Sequence, residues 1–274
     1  LNNVTINSGD GPAIRTAVTF TAEGSGNVLN VAGSGRGFAF MQADGSQTTG
    51  DLTIGTGYTI NGNGTDSTGV LARTSGNVNS GTSITMGATA GAAIEATNAS
   101  SLSNSGVITT SSDTGSTILA QNASAFSTSG TIHSTSPTNA QSLIALNGTA
   151  SSRAVSNTGT IISQSEEATV IDASGSANNT ISNSGTLRAA SDSAQVVLTG
   201  SGNDVMNITA GTSQGEITLG SGNDRFGFTA GGVSWGAGLS GGGGEGRASA
   251  RVARRRGGRE TWGESGANKR RALI

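Results

Sequence analysis

The sequence predicts an all-β fold: a right-handed parallel β-helix (β-solenoid) with about 25 residues per rung, followed by a disordered basic tail. Three observations carry this. The first is composition. Of 274 residues, 33% are hydrophobic, 12% charged and 3% aromatic, against about 45–50% apolar and about 25% charged in an average domain. A large core of aromatic and leucine side chains is excluded. What remains is flexible low-complexity sequence or a repetitive β structure of small residues. The second is a short apolar run that recurs with centres at Ile94, Ile118, Ile144, Ile171 and Val197. The third is a turn motif of the type Asn-Ser-Gly-Thr-Ile that recurs in phase with it. Flexible Gly/Ser linkers do not hold Ile and Val at a fixed phase. A β-sandwich would repeat every 8–12 residues or about that, without the longer period.

Taken in order, residues 1–68 read as irregular N-terminal rungs. Val4–Ile6, Ala17–Phe20, Asn27–Val31 and Leu52–Ile54 are strand-like and separated by Gly-rich turns. Residues 69–230 are the regular repeats. The first run of each unit is seen in Gly69–Ala72, Ala92–Ala96, Ser116–Ala120, Ser142–Leu146, Thr169–Ala173 and Gln195–Leu198. The second runs are Asn104–Ile108, Thr128–Ile132, Asn157–Ile161 and Asn183–Leu187, preceded by Asn79–Ile84 with one extra residue. One such unit cannot bury its apolar face alone, so copies must stack into a continuous inner column. The turn glycines 81, 106, 130, 159 and 185 suit corners that need positive φ. Asn79, Asn104, Asn157 and Asn183 each stand near a turn glycine, where stacked amides can hydrogen-bond along the column.

Two further segments, Leu198–Asp204 and Leu219–Asp224, share the pattern G-x-G-N-D. Together with the NSGTI-type rungs they resemble the passenger domain of Gram-negative autotransporters (type V secretion). The resemblance covers residues 69–230 well and 1–68 loosely. Filamentous haemagglutinins have similar rungs, so it is specific to the architecture more than to one family. It implies export across the outer membrane, display at the cell surface or release, and an outer-membrane β-barrel as partner within the full-length protein. It also implies a structural or adhesive role toward host surfaces, extracellular matrix or neighbouring cells. The absence of Cys fits a chain that crosses membranes unfolded. Neither a signal peptide nor barrel strands are recognisable in the sequence, so the expectation is a passenger fragment truncated before its barrel.

At residue 231 the composition breaks. Residues 1–230 carry 6 basic and 14 acidic side chains, and residues 231–274 carry 9 basic and 3 acidic. Both Trp and the only Lys lie in the second part. Every index changes together, which favours out-of-frame translation of GC-rich DNA over a genuine basic disordered tail. The Arg runs would attract nucleic acid by charge alone, and no specific nucleic-acid partner is expected.

Motifs that carry chemistry elsewhere are weak here. Gly200, Gly202, Asp204 and Met206 fill four positions of the calcium nonapeptide, as do Gly220, Gly222, Asp224 and Phe226. A calcium roll places its motifs about nine residues apart. The copies ending at Asp204 and Asp224 are more than twice as far apart, and Thr199 and Leu219 replace the first Gly. Whether the Asp204 and Asp224 turns bind calcium is left open, beside a reading as tight capped turns. Gly211–Gly215 matches G-x-S-x-G, but its flanks are rung-like and the single His133 reads as solvent-facing. Gly236–Gly241 has the spacing G-x-G-x-x-G with no βαβ context. Glu166, Glu167, Asp172, Arg153 and Arg188 are the one acid–base group on neighbouring rungs, and surface charge explains them more simply than polysaccharide chemistry. No residue is assigned a catalytic, cofactor-binding or metal role. The expected function is a secreted structural or adhesive solenoid, with a carbohydrate-active β-helix enzyme or a calcium-binding repeat protein as the alternatives.

Overall fold

The computed structural model describes residues 1–230, 234–236, 239–241 and 247–252. It is a parallel β-solenoid: three ten-stranded sheets, each taking every third strand of the chain. Each coil therefore contributes one strand to each sheet, and every strand pairs with its counterpart one coil away. Coil length follows from the register. Ile84 pairs with Ile108 and Ile108 with Ile132, so one inward place recurs at even intervals. The next coils, Ile132↔Ile161 and Ile161↔Leu187, are slightly longer. A rung of about 25 residues is the rule, within the range usual for solenoid repeats.

The bore is filled by three columns, one per sheet. In the first sheet Ile60, Ile84, Ile108, Ile132, Ile161 and Leu187 stack directly. In the second, the five residues that mark the sequence period, Ile94 to Val197, are paired neighbours. The third column runs through Val78, Leu102, Phe126, Val155 and Ile181. All are buried. Alternation sets this: strands such as Ser101–Asn104 and Thr131–Ser134 bury every second residue. Three short strands enclose a bore narrow enough for β-branched side chains to fill, so few aromatics are needed.

The turn motif acts through a different cause from the one its glycines suggest. Gly106, Gly130, Gly159 and Gly185 do not have positive φ. A Cβ on any of them would lie 2.0–2.1 Å from a carbonyl oxygen of the coil before. Close approach between stacked corners, rather than an unusual backbone angle, is what demands glycine here. Gly81 is not part of that column. Val107 lies above Ser83 because Ile108 pairs with Ile84, so Thr82 occupies the place of Gly106. Thr82 is buried and donates to the Tyr58 carbonyl at 2.7 Å.

The asparagine column is corrected in the same way. Asn79 faces outward, paired with Ser103, and Ser80 takes the inner place. The inner column is Ser80, Asn104, Thr128, Asn157 and Asn183. The Asn157 amide donates to Asn183 Oδ1 at 2.7 Å, and Asn157 Oδ1 accepts from the Gly159 N–H at 3.1 Å.

Residues 1–68 form the same three sheets with less even coils: the step from Ile6 to Leu29 is short, whereas those from Leu29 to Ile60 and from Phe20 to Leu52 are long. The strand expected over Ala17–Phe20 lies instead at Phe20–Ala22. Three strands here have no clear sequence signal: Pro12–Thr16, Arg36–Phe40 and Tyr58–Gly62. Past residue 230 the backbone segments Ser234–Gly236, Leu239–Gly241 and Arg247–Val252 pair in parallel with the preceding coil. The rest of the segment 231–274 lies outside the described residues. With it go its expected disorder, the question of its reading frame and the middle of the Gly236–Gly241 motif.

Candidate functional site

Two features of the solenoid bring polar groups together. One is the corner formed by the two G-x-G-N-D segments, and the other is a groove along the outside.

At the corner, Asn178, Asn203 and Asn223 form an outer ladder. The Asn203 N–H donates to Asn178 Oδ1 at 2.7 Å, and the Asn223 N–H to Asn203 Oδ1 at 2.8 Å. An inner ladder runs beside it through Arg153, Asn179, Asp204 and Asp224. Arg153 pairs with Asn179 across the sheet. Asp204 Oδ1 accepts from the Asn179 backbone N–H at 2.7 Å and from its amide at 2.8 Å. Asp224 Oδ1 accepts from the Asp204 N–H at 2.9 Å. The glycines permit the stacking. A Cβ on Gly200, Gly202, Gly220 or Gly222 would fall 1.7–2.1 Å from a carbonyl oxygen of the coil below. The motif is thus read in full by the turn: Gly for the close approach, Asn for the outer ladder, Asp for the inner one.

This inner ladder is buried. Arg153 is 3% exposed, Asn179 0%, Asp204 1% and Asp224 4%. Arg153 was expected on the surface. Instead its strand alternates so as to turn it inward, and its Nη2 donates to the Gly148 carbonyl at 3.1 Å. Burial lowers its guanidinium pKa. Burial raises the pKa of the Asp224 carboxyl, the Asp204 N–H opposes that shift, and the Asp204 charge adds to it. Several atoms of the ladder and its turn have no hydrogen-bond partner: Arg153 Nε and Nη1, Asn179 Oδ1, Asp204 Oδ2 and Thr199 Oγ1. Among the described residues no group of three or more His, Cys, Asp or Glu side chains gathers as a metal cluster.

The remaining acid–base residues are not gathered. Asp172 lies on the outer side of the second sheet, accepting from Ser142 Oγ at 3.0 Å and the Ser174 N–H at 2.9 Å. Glu166 and Glu167 are exposed at a corner, and Glu166 accepts from Ser191 Oγ at 2.7 Å. Arg188 is exposed at the end of its strand in the first sheet. The G-x-S-x-G serine, Ser213, is fully buried in the inner column above Leu187. His133 is on the outer side of that same sheet, its Nε2 3.2 Å from Gln164 Nε2. The two therefore face opposite sides of one sheet, and no hydrolase triad can form from them.

The groove follows the corner between the third and first sheets. It encloses about 270 Å³ and is lined by Ser103, Ser105, Ser127, Ser129, Ser156 and Thr158, with Asn104 and Thr128 at its floor. Ser103, Ser127, Ser156 and Ser182 are paired neighbours in successive coils. The groove is therefore a ladder of hydroxyls at one per coil, a spacing of about 4.8 Å. Sequence reasoning passed over it because isolated serines carry no signal; only the register lines them up. Comparison of the chain with protein-family models, curated proteins and solved structures found no match.

Proposed function

We propose that this chain is the structural and adhesive shaft of a secreted or surface-displayed protein, of the kind found in autotransporter passengers. The observation that carries the reading is the outer column of the third sheet. There four successive coils present the same small polar side chain at the same register, the Ser103–Ser127–Ser156–Ser182 column. Such a surface makes many weak polar contacts with a host surface, matrix or neighbouring cell, and their sum gives avidity without a deep pocket. The turn motifs and the lack of Cys support export. In a longer protein, an outer-membrane barrel would be the natural partner for that export.

Beads carrying the chain, scored for clustering with one another and for binding to matrix-coated and cell surfaces, test the adhesive role. Binding that weakens when Ser127, Ser156 and Ser182 are replaced together by Glu supports the reading. Binding absent on every surface, or turnover of a polysaccharide by the same preparation, refutes it.

A further inference from the structure

Around the Asp204 turn, buried side-chain oxygens stand without hydrogen-bond partners. Asp204 Oδ1 is satisfied from the coil below by the Asn179 N–H and amide. Oδ2 of the same carboxylate is buried and receives no donor. Asn179 Oδ1 belongs to the amide that touches this carboxylate, and it too is unpartnered. Thr199 begins the turn that Asp204 ends. It is 2% exposed, paired with Ala173, and its Oγ1 is unpartnered. Ala173 in turn gives its carbonyl to the Asn179 amide at 3.2 Å. Three unsatisfied oxygens from three side chains thus belong to one turn and the coil it rests on.

The coil below shows what that position ordinarily requires. Asn179 brings a donor there, and its nitrogen serves the carbonyls of Ala173 and Ala177 at 3.2 and 3.0 Å. Arg153, one coil further down, serves the Gly148 carbonyl in the same manner. Asp204 brings an acceptor instead. The positive charge of Arg153 is one coil removed, with Asn179 between them. A buried carboxylate oxygen without a donor is costly, and a bound cation removes that cost.

We propose that the Thr199–Asp204 turn interior is a binding site for a hard cation of the calcium class, held by Asp204 Oδ2, Asn179 Oδ1 and Thr199 Oγ1. The ligands are all oxygen and one is a carboxylate, which suits calcium's preference and its tolerance of flexible geometry. The site joins consecutive coils of the ladder, so the ion locks them together. Such a lock would serve the shaft whether or not its surface is adhesive.

The experiment is thermal unfolding of the full chain in calcium chloride, in chelator, and in potassium chloride of equal ionic strength. Calcium at about a hundredfold its dissociation constant is expected to raise Tm by roughly 5–10 °C, with chelator reversing the rise and potassium giving none. Asp204→Asn keeps the turn, since an Asn amide fills the same place one coil below, and is expected to lose the calcium shift entirely. Asp172→Asn, on the outer face, is expected to retain it. Equilibrium dialysis against calcium should give about one ion per wild-type chain and none for Asp204→Asn. No calcium shift in the wild type, or an equal shift in Asp204→Asn, overturns the proposal.

Discussion

Gly130→Ala and Gly81→Ala should differ sharply although both stand in an (Asn/Thr)-Ser-Gly-Thr motif. In Gly130 the added Cβ would lie 2.0 Å from the Gly106 carbonyl oxygen and 2.7 Å from the Ser105 carbonyl carbon, both in the coil below. Ordinary contact begins near 3.4 Å, so the coils must part by more than an ångström. That strains the ladder bonds on both sides, Thr131 N–H to Gly106 O at 3.0 Å and Thr160 N–H to Gly130 O at 2.9 Å. Each is worth about 1 kcal/mol, and overpacking adds about 1–3 kcal/mol. The total is about 3–5 kcal/mol. In Gly81 the nearest atoms to the same Cβ are 3.3 Å away and φ is not positive. There the cost should stay within about 0.5 kcal/mol, offset by the lower chain entropy of the unfolded alanine form. Urea unfolding followed by circular dichroism reads the midpoint. Because stacked coils need not unfold together, hydrogen exchange at Thr131 and Thr160 reads the local opening. If Gly81→Ala destabilises as much as Gly130→Ala, the register argument for the glycine column is wrong.

Other changes follow from the same columns. Phe126→Ala empties a buried place in the third column and should cost about 3–5 kcal/mol, read as a fall in the urea midpoint. Ser213→Ala removes a fully buried hydroxyl that has no partner and should raise stability by about 1 kcal/mol; a lower Tm would show that Oγ is satisfied. Asp113 accepts from Ser136 Oγ and Thr138 Oγ1, and these bonds hold its pKa below the ordinary 3.8. A lowered carboxylate pKa stabilises the fold above the unfolded-state value and loses that stabilisation as pH falls through the folded one. Asp113→Asn should therefore show a smaller fall in Tm than wild type between about pH 5 and about pH 2.5. Parallel curves for the two proteins would assign the acid sensitivity elsewhere.

Much of the solenoid is legible in the sequence because its period is set by the bore. Ile94, Ile118, Ile144, Ile171 and Val197 are at once the clearest pattern in the chain and consecutive neighbours in one sheet. In these five coils every place in that column is Ile or Val, so the spacing stands out in the sequence. The third strand of each coil is fainter, because its one inward apolar residue stands among polar ones, as Leu102 does between Ser101 and Ser103. Coils 1–68 are fainter still, since loops such as 41–51 break the spacing while leaving the pairing Phe20↔Leu52 intact.

What the sequence hides is phase. Asn-Ser-Gly at 79–81 matches Asn-Ser-Gly at 104–106 letter for letter, yet the pairing Ile84↔Ile108 sets the two triplets one residue apart. In a strand one residue is the whole difference between inside and outside, so Asn79 faces outward while Asn104 is buried. Arg153 shows the same effect at the candidate site. Its charge argues for the surface, but its neighbours Val155 and Asn157 alternate inward with it, and the coil carries it into the ladder that Asp204 extends. A motif search compares letters and loses the side on which they fall. Arg153, Asn179, Asp204 and Asp224 form one buried ladder only because four inward positions in four coils coincide.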